Sequence, residues 1–581
     1  MLASKIERIL RLRLWLMERF RLGETSITLF WAGIVGLCGG LLSVGFLNCV
    51  YALQRVLTDH SETNLIVIAN DLNYWERVLI PTLGGLLAGG ILYLGGRLLT
   101  RDKKTTDYME AVLVGNGIIR LRDTAIKSLS SLFSIASGSS IGREGAMVTL
   151  SATFASWLGR ARQVSTPRLR LMVACGAAAG IAAAYKTPVA GALFVAEIIL
   201  GSIAMETFGP LVFSSFISTL VVYQLIGTTP TYLMPTVFHV GSNWDYLLFL
   251  LLGILAGVFS PMFLKMLHDG EELFHKLNLP LTVKLGIGGL IVGLVSIYAP
   301  EVWGNGYGVV GDFLRSDSLV WTWVLTIFLC KIFATSASVG SGAVGGVFTP
   351  TLFMGAAIGW LFGYGMNAIF PSLAITPAGF ALVGMGCVLA ASTQAVLMSI
   401  IMIFEMSLQY EVVLPLMLGC VTAYFVSKSL GQQSIYAKHL QNKQDANELL
   451  NKRALTVKDL LRRDPPCVPE TASFGQTAQM FVGYRLNNLY VVDKDKKFLG
   501  IVSLHEMKPF LNDPNISQAV IVADIMRDDF PTLKVDQDLT QALQGFAKFD
   551  GERIPVINND LDRTLLGFVS KTDLLLTLSA K

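Results

Sequence analysis

Between residues 25 and about 430 the chain strings together apolar segments, many of them cut short by Gly or Pro, and that run limits what it can fold into. The uncharged stretch 25–54 is long enough for a helix of about 20 residues to cross a bilayer, whereas 78–96, 208–238 and 246–264 are irregular in length and interrupted. A simple bundle of spanning helices would read more evenly. Only 15% of the 581 residues are charged, against roughly 25% in soluble domains, so the chain reads as an integral membrane protein. Lys5, Arg8, Arg11, Arg13, Arg19 and Arg21 precede the first apolar run, which puts that end in the cytoplasm under the positive-inside rule. The first 24 residues lack the uninterrupted apolar core of a secretory signal. The seven cysteines form no C-x-x-C and imply neither a disulfide frame nor a metal site.

The apolar body repeats itself. Gly176 to Glu197 is echoed by Gly384 to Glu405, which sets Glu197 and Glu405 in register at 405 − 197 = 208 positions. Gly138-Ser139 before one glycine-rich break is matched to Gly340-Ser341 before a second, at 342–350. Paired interruptions in two halves point to a midplane substrate site built from broken helices. The expected division is a basic segment at 1–24, membrane halves at 25–240 and 241–436, and a linker at 437–454. Beyond it the composition turns soluble, and Val457-Lys458-Asp459-Leu460 is repeated at Val522-Ala523-Asp524-Ile525. Two copies of helix, strand, strand and helix follow at 455–515 and 516–581.

In the first half, Gly142-Arg143-Glu144-Gly145 sets a base and an acid between glycines in apolar sequence. Ionisable residues at membrane depth are costly and read by default as functional. The glycines leave the backbone open, and a helix starting near Ala146 offers free amides and a positive dipole end to an anion. Glu144 can then occupy the place a mobile anion wants, which is the chemistry of a gate. Arg143 either joins the anion site or is a structural charge that caps carbonyls or pairs with an acid.

Gly142-Arg143-Glu144-Gly145, Gly346-Val347-Phe348-Thr349-Pro350 and Tyr436 resemble the signatures of the CLC family of anion channels and proton-coupled anion exchangers, and the tail resembles a tandem pair of CBS domains. The resemblance implies an α-helical polytopic membrane protein, an inverted repeat with broken, tilted helices, plus an α/β cytoplasmic CBS pair. It implies transport of chloride or a similar monovalent anion, with protons as a second partner in an exchanger. It also implies a homodimer surrounded by lipid in the cell membrane, both the N-terminus and the tail being cytoplasmic. No nucleic-acid partner, metal or required cofactor is expected, and the body offers no enzyme constellation. By resemblance Glu144 is the gate, Gly142, Arg143, Gly145, Val347 and Phe348 contribute the anion site, and Tyr436 marks its cytoplasmic end.

The sequence departs from the family in several places. No G-S-G-I-P is present, and Lys103-Lys104-Thr105-Thr106 stands over its last four positions. Thr105 or Thr106 can supply the missing hydroxyl, or a lysine can draw anions to the inner mouth, or both lysines face cytoplasmic water. Ile198 follows Glu197, where exchangers often carry a second acid, which points to weakened proton coupling. Lys186 stands where a neutral residue is usual and can pair with Glu197 or tune anion entry. In the tail, Ser570 with Asp573, and Ser503 with Glu506, fit the spacing of an adenine-nucleotide contact. The alternative for the tail is a scaffold with empty clefts, and the alternative for the whole chain is a membrane-anchored nucleotide-sensing receptor.

Overall fold

The computed structural model describes residues 24–60, 64–98, 107–113, 115–232, 234, 243–371, 376–431, 434–436, 456–483, 488–512, 520–547, 549 and 551–579. The expectations for residues 1–23, for Lys103, Lys104, Thr105 and Thr106, and for the linker at 437–454 lie outside them. The chain divides near residue 443 into two compact units.

In the body, nine helices among the described residues are long and apolar enough to cross a membrane. Others stop part-way, including Pro188–Leu193, which runs on as the π-helical turn Phe194–Leu200, and Val396–Ser407. Broken backbone at membrane depth is tolerated where protein buries it, and the short helix Pro377–Thr393 is buried along its whole length.

Two breaks mirror each other. Helix Leu121–Ala136 is followed, after a turn, by Glu144–Ala161, and helix Trp321–Gly340 by Phe348–Ile369. Gly138 (φ +96°) and Gly342 (φ +95°) make the two turns. Their N–H groups close on Ile135 at 3.2 Å and Val339 at 2.9 Å. Left-handed backbone of this kind favours glycine. Gly138 therefore corresponds to Gly342, at 342 − 138 = 204 positions, and the sequence match to Gly340 is corrected by two residues because Gly340 still belongs to the preceding helix.

The register of 208 positions holds farther along, and it has a physical content. The Glu197 carboxylate accepts the N–H groups of Leu397 (3.3 Å) and Met398 (2.9 Å), at the start of helix Val396–Ser407. Glu405 accepts those of Val189 (3.0 Å) and Ala190 (2.9 Å), at the start of helix Pro188–Leu193. Each half thus caps a broken helix of the other with a carboxylate, which satisfies free amides and opposes the positive dipole end.

The tail holds two three-stranded sheets. In the first, β1 (Cys467–Pro469) runs parallel to β2 (Asn488–Val492), which pairs antiparallel with β3 (Phe498–Ser503). The second repeats the pattern with β4 (Leu533–Lys534), β5 (Arg553–Ile557) and β6 (Leu565–Ser570). The cores do not follow the sequence repeats. Val457 packs with Leu533, Phe546, Val556 and Val569 of the second repeat, while Val522 and Ile525 pack with Val468, Phe481 and Val502 of the first. Backbone bonds from Val457 N–H to Gln537 (2.9 Å) and from Val522 N–H to Ala472 (3.0 Å) fix the exchange. The division at 515/516 therefore separates the sequence repeats but not the cores: a four-residue opening helix buries its apolar residues on the neighbouring repeat.

Candidate anion site

The two mirrored breaks meet at a pair of glycines. Gly142 and Gly346 exchange backbone hydrogen bonds, with the Gly142 N–H donating at 2.7 Å and the Gly346 N–H at 2.8 Å. The Gly142 amide is thus committed to this bridge and does not face an anion, which corrects its expected role. What Gly142 contributes is space: a β-carbon on it, or on Gly346, would overlap the Glu144 carboxylate.

Glu144 opens helix Glu144–Ala161 and is 4% exposed. Its carboxylate reaches across the bridge to the N-terminus of helix Phe348–Ile369. There Oε1 accepts the N–H groups of Phe348 (3.1 Å) and Thr349 (3.3 Å), and Oε2 accepts the Thr349 hydroxyl (3.1 Å). The side chain sits on donors that the orphan amides and dipole of a helix start would otherwise present to an anion.

Arg143 and Glu144, neighbours in sequence, line different cavities. Arg143 faces one of about 530 Å³ whose described lining holds two cations, Arg143 and Lys186, and no acid. Its Nη1 donates to the Tyr51 hydroxyl at 3.2 Å, and its Cζ lies 5.3 Å from the centre of the Tyr307 ring. Among the described residues, Arg143 therefore neither caps a carbonyl nor forms a salt bridge with an acid. A cavity lined by one sign of charge raises the local anion concentration. Lys186 Nζ donates to the carbonyls of Gly227 (2.9 Å) and Thr229 (3.0 Å). The expected pairing of Lys186 with Glu197 is replaced by these bonds, since Glu197 is engaged as a cap.

Glu144, Gly145, Val347, Phe348 and Tyr436 line the second cavity, of about 250 Å³. The Tyr436 ring stands edge-on to Phe194, with centroids 6.0 Å apart. Asp107, Asp123 and Lys127 also face this cavity. Sequence reasoning passed over these three and also Thr349, whose only signal was its place inside Gly346-Val347-Phe348-Thr349-Pro350. Ile198 is buried, 4% exposed.

In the tail, Ser503 and Glu506 cap each other: the Ser503 N–H donates to Glu506 at 2.7 Å and the Glu506 N–H to the Ser503 hydroxyl at 3.2 Å. Ser570 accepts the Asp573 N–H at 3.1 Å. The Asp573 carboxylate, its side chain 2% exposed, is held by Arg462 through Nε (2.8 Å) and Nη2 (2.6 Å). Asp573, an acid expected at the adenine-nucleotide contact, is thus already paired.

Comparison with known proteins agrees with this architecture. The family described as "Voltage gated chloride channel" matches residues 84–428, and the CBS domain matches 457–512 and 522–580. A ClcB-like protein of Ralstonia nicotianae is 49% identical over 418 residues, 71% of this chain and 96% of its own. The voltage-gated ClC-type chloride channel ClcB of Escherichia coli is 41% identical over 413 residues, 70% of this chain and 97% of its own. Among solved structures, a slow cyanobacterial Cl⁻/H⁺ antiporter superposes with a TM-score of 0.62 at 25% identity, covering 73% of this chain and 98% of its own. A eukaryotic CLC transporter shares the fold with a TM-score of 0.58 at 18% identity, covering 95% of this chain and 99% of its own. With mirrored half-helices meeting at Gly142 and Gly346 and this match across the body, the chain belongs to the voltage gated chloride channel (CLC) family and carries two CBS domains behind its membrane body.

Proposed function

We propose that the protein carries chloride or a similar monovalent anion across the cell membrane through a passage gated by Glu144. The observation that carries this reading is the seat of the Glu144 carboxylate on the Phe348 and Thr349 donors, with a cationic cavity beginning at its sequence neighbour Arg143. An ionised carboxylate competes with an anion for those protons, and a protonated one releases most of its hold on them. Backbone amides suit a transported ion because they offer partial charge without the grip of a fixed cation. Val347, Gly145 and Tyr436 line the approach from the inner cavity, and Arg143 and Lys186 concentrate anions on the outer side.

Reconstituted in liposomes, a Glu144→Gln variant is expected to pass anions at a rate that no longer varies with pH. Unchanged flux with unchanged pH dependence would remove Glu144 from the gate. Coupling to protons is read as weak, because Ile198 cannot relay a proton and Glu197 is occupied as a helix cap. Simultaneous recording should show chloride efflux with little proton uptake; uptake in fixed proportion to chloride would make the protein an exchanger, as the cyanobacterial relative is by its description.

The basic residues before Thr25 support a cytoplasmic N-terminus, and the resemblance to the family supports a cytoplasmic tail and a homodimer with one pore in each subunit. The tail is read as a regulatory scaffold in place of a nucleotide sensor, because Arg462 holds Asp573. The anchored-receptor alternative is set aside, since the curated relatives match the membrane body over nearly their whole length.

A further inference from the structure

Thr349 is 1% exposed and turns two donors, its N–H and its hydroxyl, to Glu144. Its Oγ1 also lies 3.0 Å from the hydroxyl of Tyr185, which is likewise 1% exposed and ends helix Thr166–Tyr185. An ionised carboxylate can only accept. While Glu144 is charged, the Thr349 proton therefore goes to Oε2, and the Tyr185 proton goes to Thr349 Oγ1. The direction of the chain Tyr185 to Thr349 to Glu144 is set by charge. The Tyr185 ring, 5.5 Å from that of Phe348, is held against the same helix start.

From this geometry we infer that the Thr349 hydroxyl selects among transported anions, and that Tyr185 is the positioning residue that orients it. The inference rests on the reading of Glu144 as the gate. When the carboxylate leaves, the Phe348 amide, the Thr349 amide and the Thr349 hydroxyl converge on the place it held, and an entering anion accepts all three hydrogen bonds. The two amides are fixed by the helix and give every anion much the same field. The hydroxyl rotates to its acceptor and makes a shorter bond than an amide, about 2.7–2.8 Å against 2.9–3.0 Å between oxygen acceptors. It thus favours a small anion of concentrated charge over a large, weakly hydrated one. Tyr185 sharpens the preference by donating its own proton to Thr349 Oγ1, which occupies that side of the oxygen and turns the threonine proton to the anion.

The test is the anion order, measured as chloride, nitrate and thiocyanate flux from liposomes carrying the full-length protein. Thr349→Val, which keeps the shape and removes the hydroxyl, is expected to reduce the preference for chloride over thiocyanate about tenfold, the size expected for losing one hydrogen bond to a charged group. Thr349→Ser should restore the wild-type order. Tyr185→Phe should shift the order in the same direction by a smaller factor, and it carries the test with Thr349→Ser if the valine variant does not assemble. An unchanged order in Thr349→Val, or in Tyr185→Phe if that variant stands alone, would overturn the inference, as would a shift in Thr349→Ser as large as that of valine. The same comparison in a Glu144→Ala background separates the two claims. A background in which Glu144→Ala leaves flux and pH dependence untouched defeats the gate; a responsive background with an unaltered anion order defeats Thr349 alone.

Discussion

Glu144 could be read from sequence because an acid among glycines in apolar surroundings has few structural uses. Thr349 could not, since a threonine at a helix start is ordinary and its meaning comes from a carboxylate 349 − 144 = 205 positions away. Gly142 lay between: the motif named it, but as an amide donor, and the bridge to Gly346 shows that its missing side chain is what counts. A Gly142→Ala substitution is expected to leave the fold in place, because its methyl would meet the end of a flexible side chain and not backbone. The methyl would also fill the seat of the Glu144 carboxylate, where we propose that the anion binds. Flux should fall by at least about tenfold, the equivalent of roughly 1.4 kcal/mol, with assembly unchanged by size-exclusion profile; wild-type flux from this variant would mean that the anion passes elsewhere.

At the level of the helices, the pairing of Glu197 with Glu405 was visible as a periodic echo, yet the echo did not say what the acids do. Both cap a short helix of the opposite half, and a cap can be recognised only when the helix it serves is known. The two-residue slip at Gly138 has a related cause: glycine-rich runs align in several registers, and only the left-handed backbone at Gly138 and Gly342 selects one. Removing a carboxylate cap typically costs about 0.5–2 kcal/mol. Glu405→Ala should therefore lower the thermal midpoint of the detergent-solubilised protein, while the anion order, which we infer is set at Thr349, stays as it is. A changed anion order with an unchanged midpoint would give Glu405 a place in the passage that its bonds to Val189 and Ala190 do not suggest.

On the scale of the whole molecule, the shift from apolar body to charged tail was plain in composition, and so were the two repeats of the tail. Their interleaved cores were not, because the matching segments Val457–Leu460 and Val522–Ile525 are alike enough to serve either sheet. The Arg462–Asp573 pair, its acid buried and its arginine partly exposed, escaped because it joins residues 573 − 462 = 111 positions apart. Since that pair holds the acid expected at the adenine-nucleotide contact, millimolar ATP or AMP is expected to leave the melting temperature of the full-length protein unchanged. A rise would show that Arg462 gives way to nucleotide. The exchange of opening segments also sets how the tail bears load. Tension drawn along the chain toward Val457 would be delivered first to the core of the second repeat, although the first repeat follows directly in the chain, so a pull strong enough to open the tail would begin at its far end.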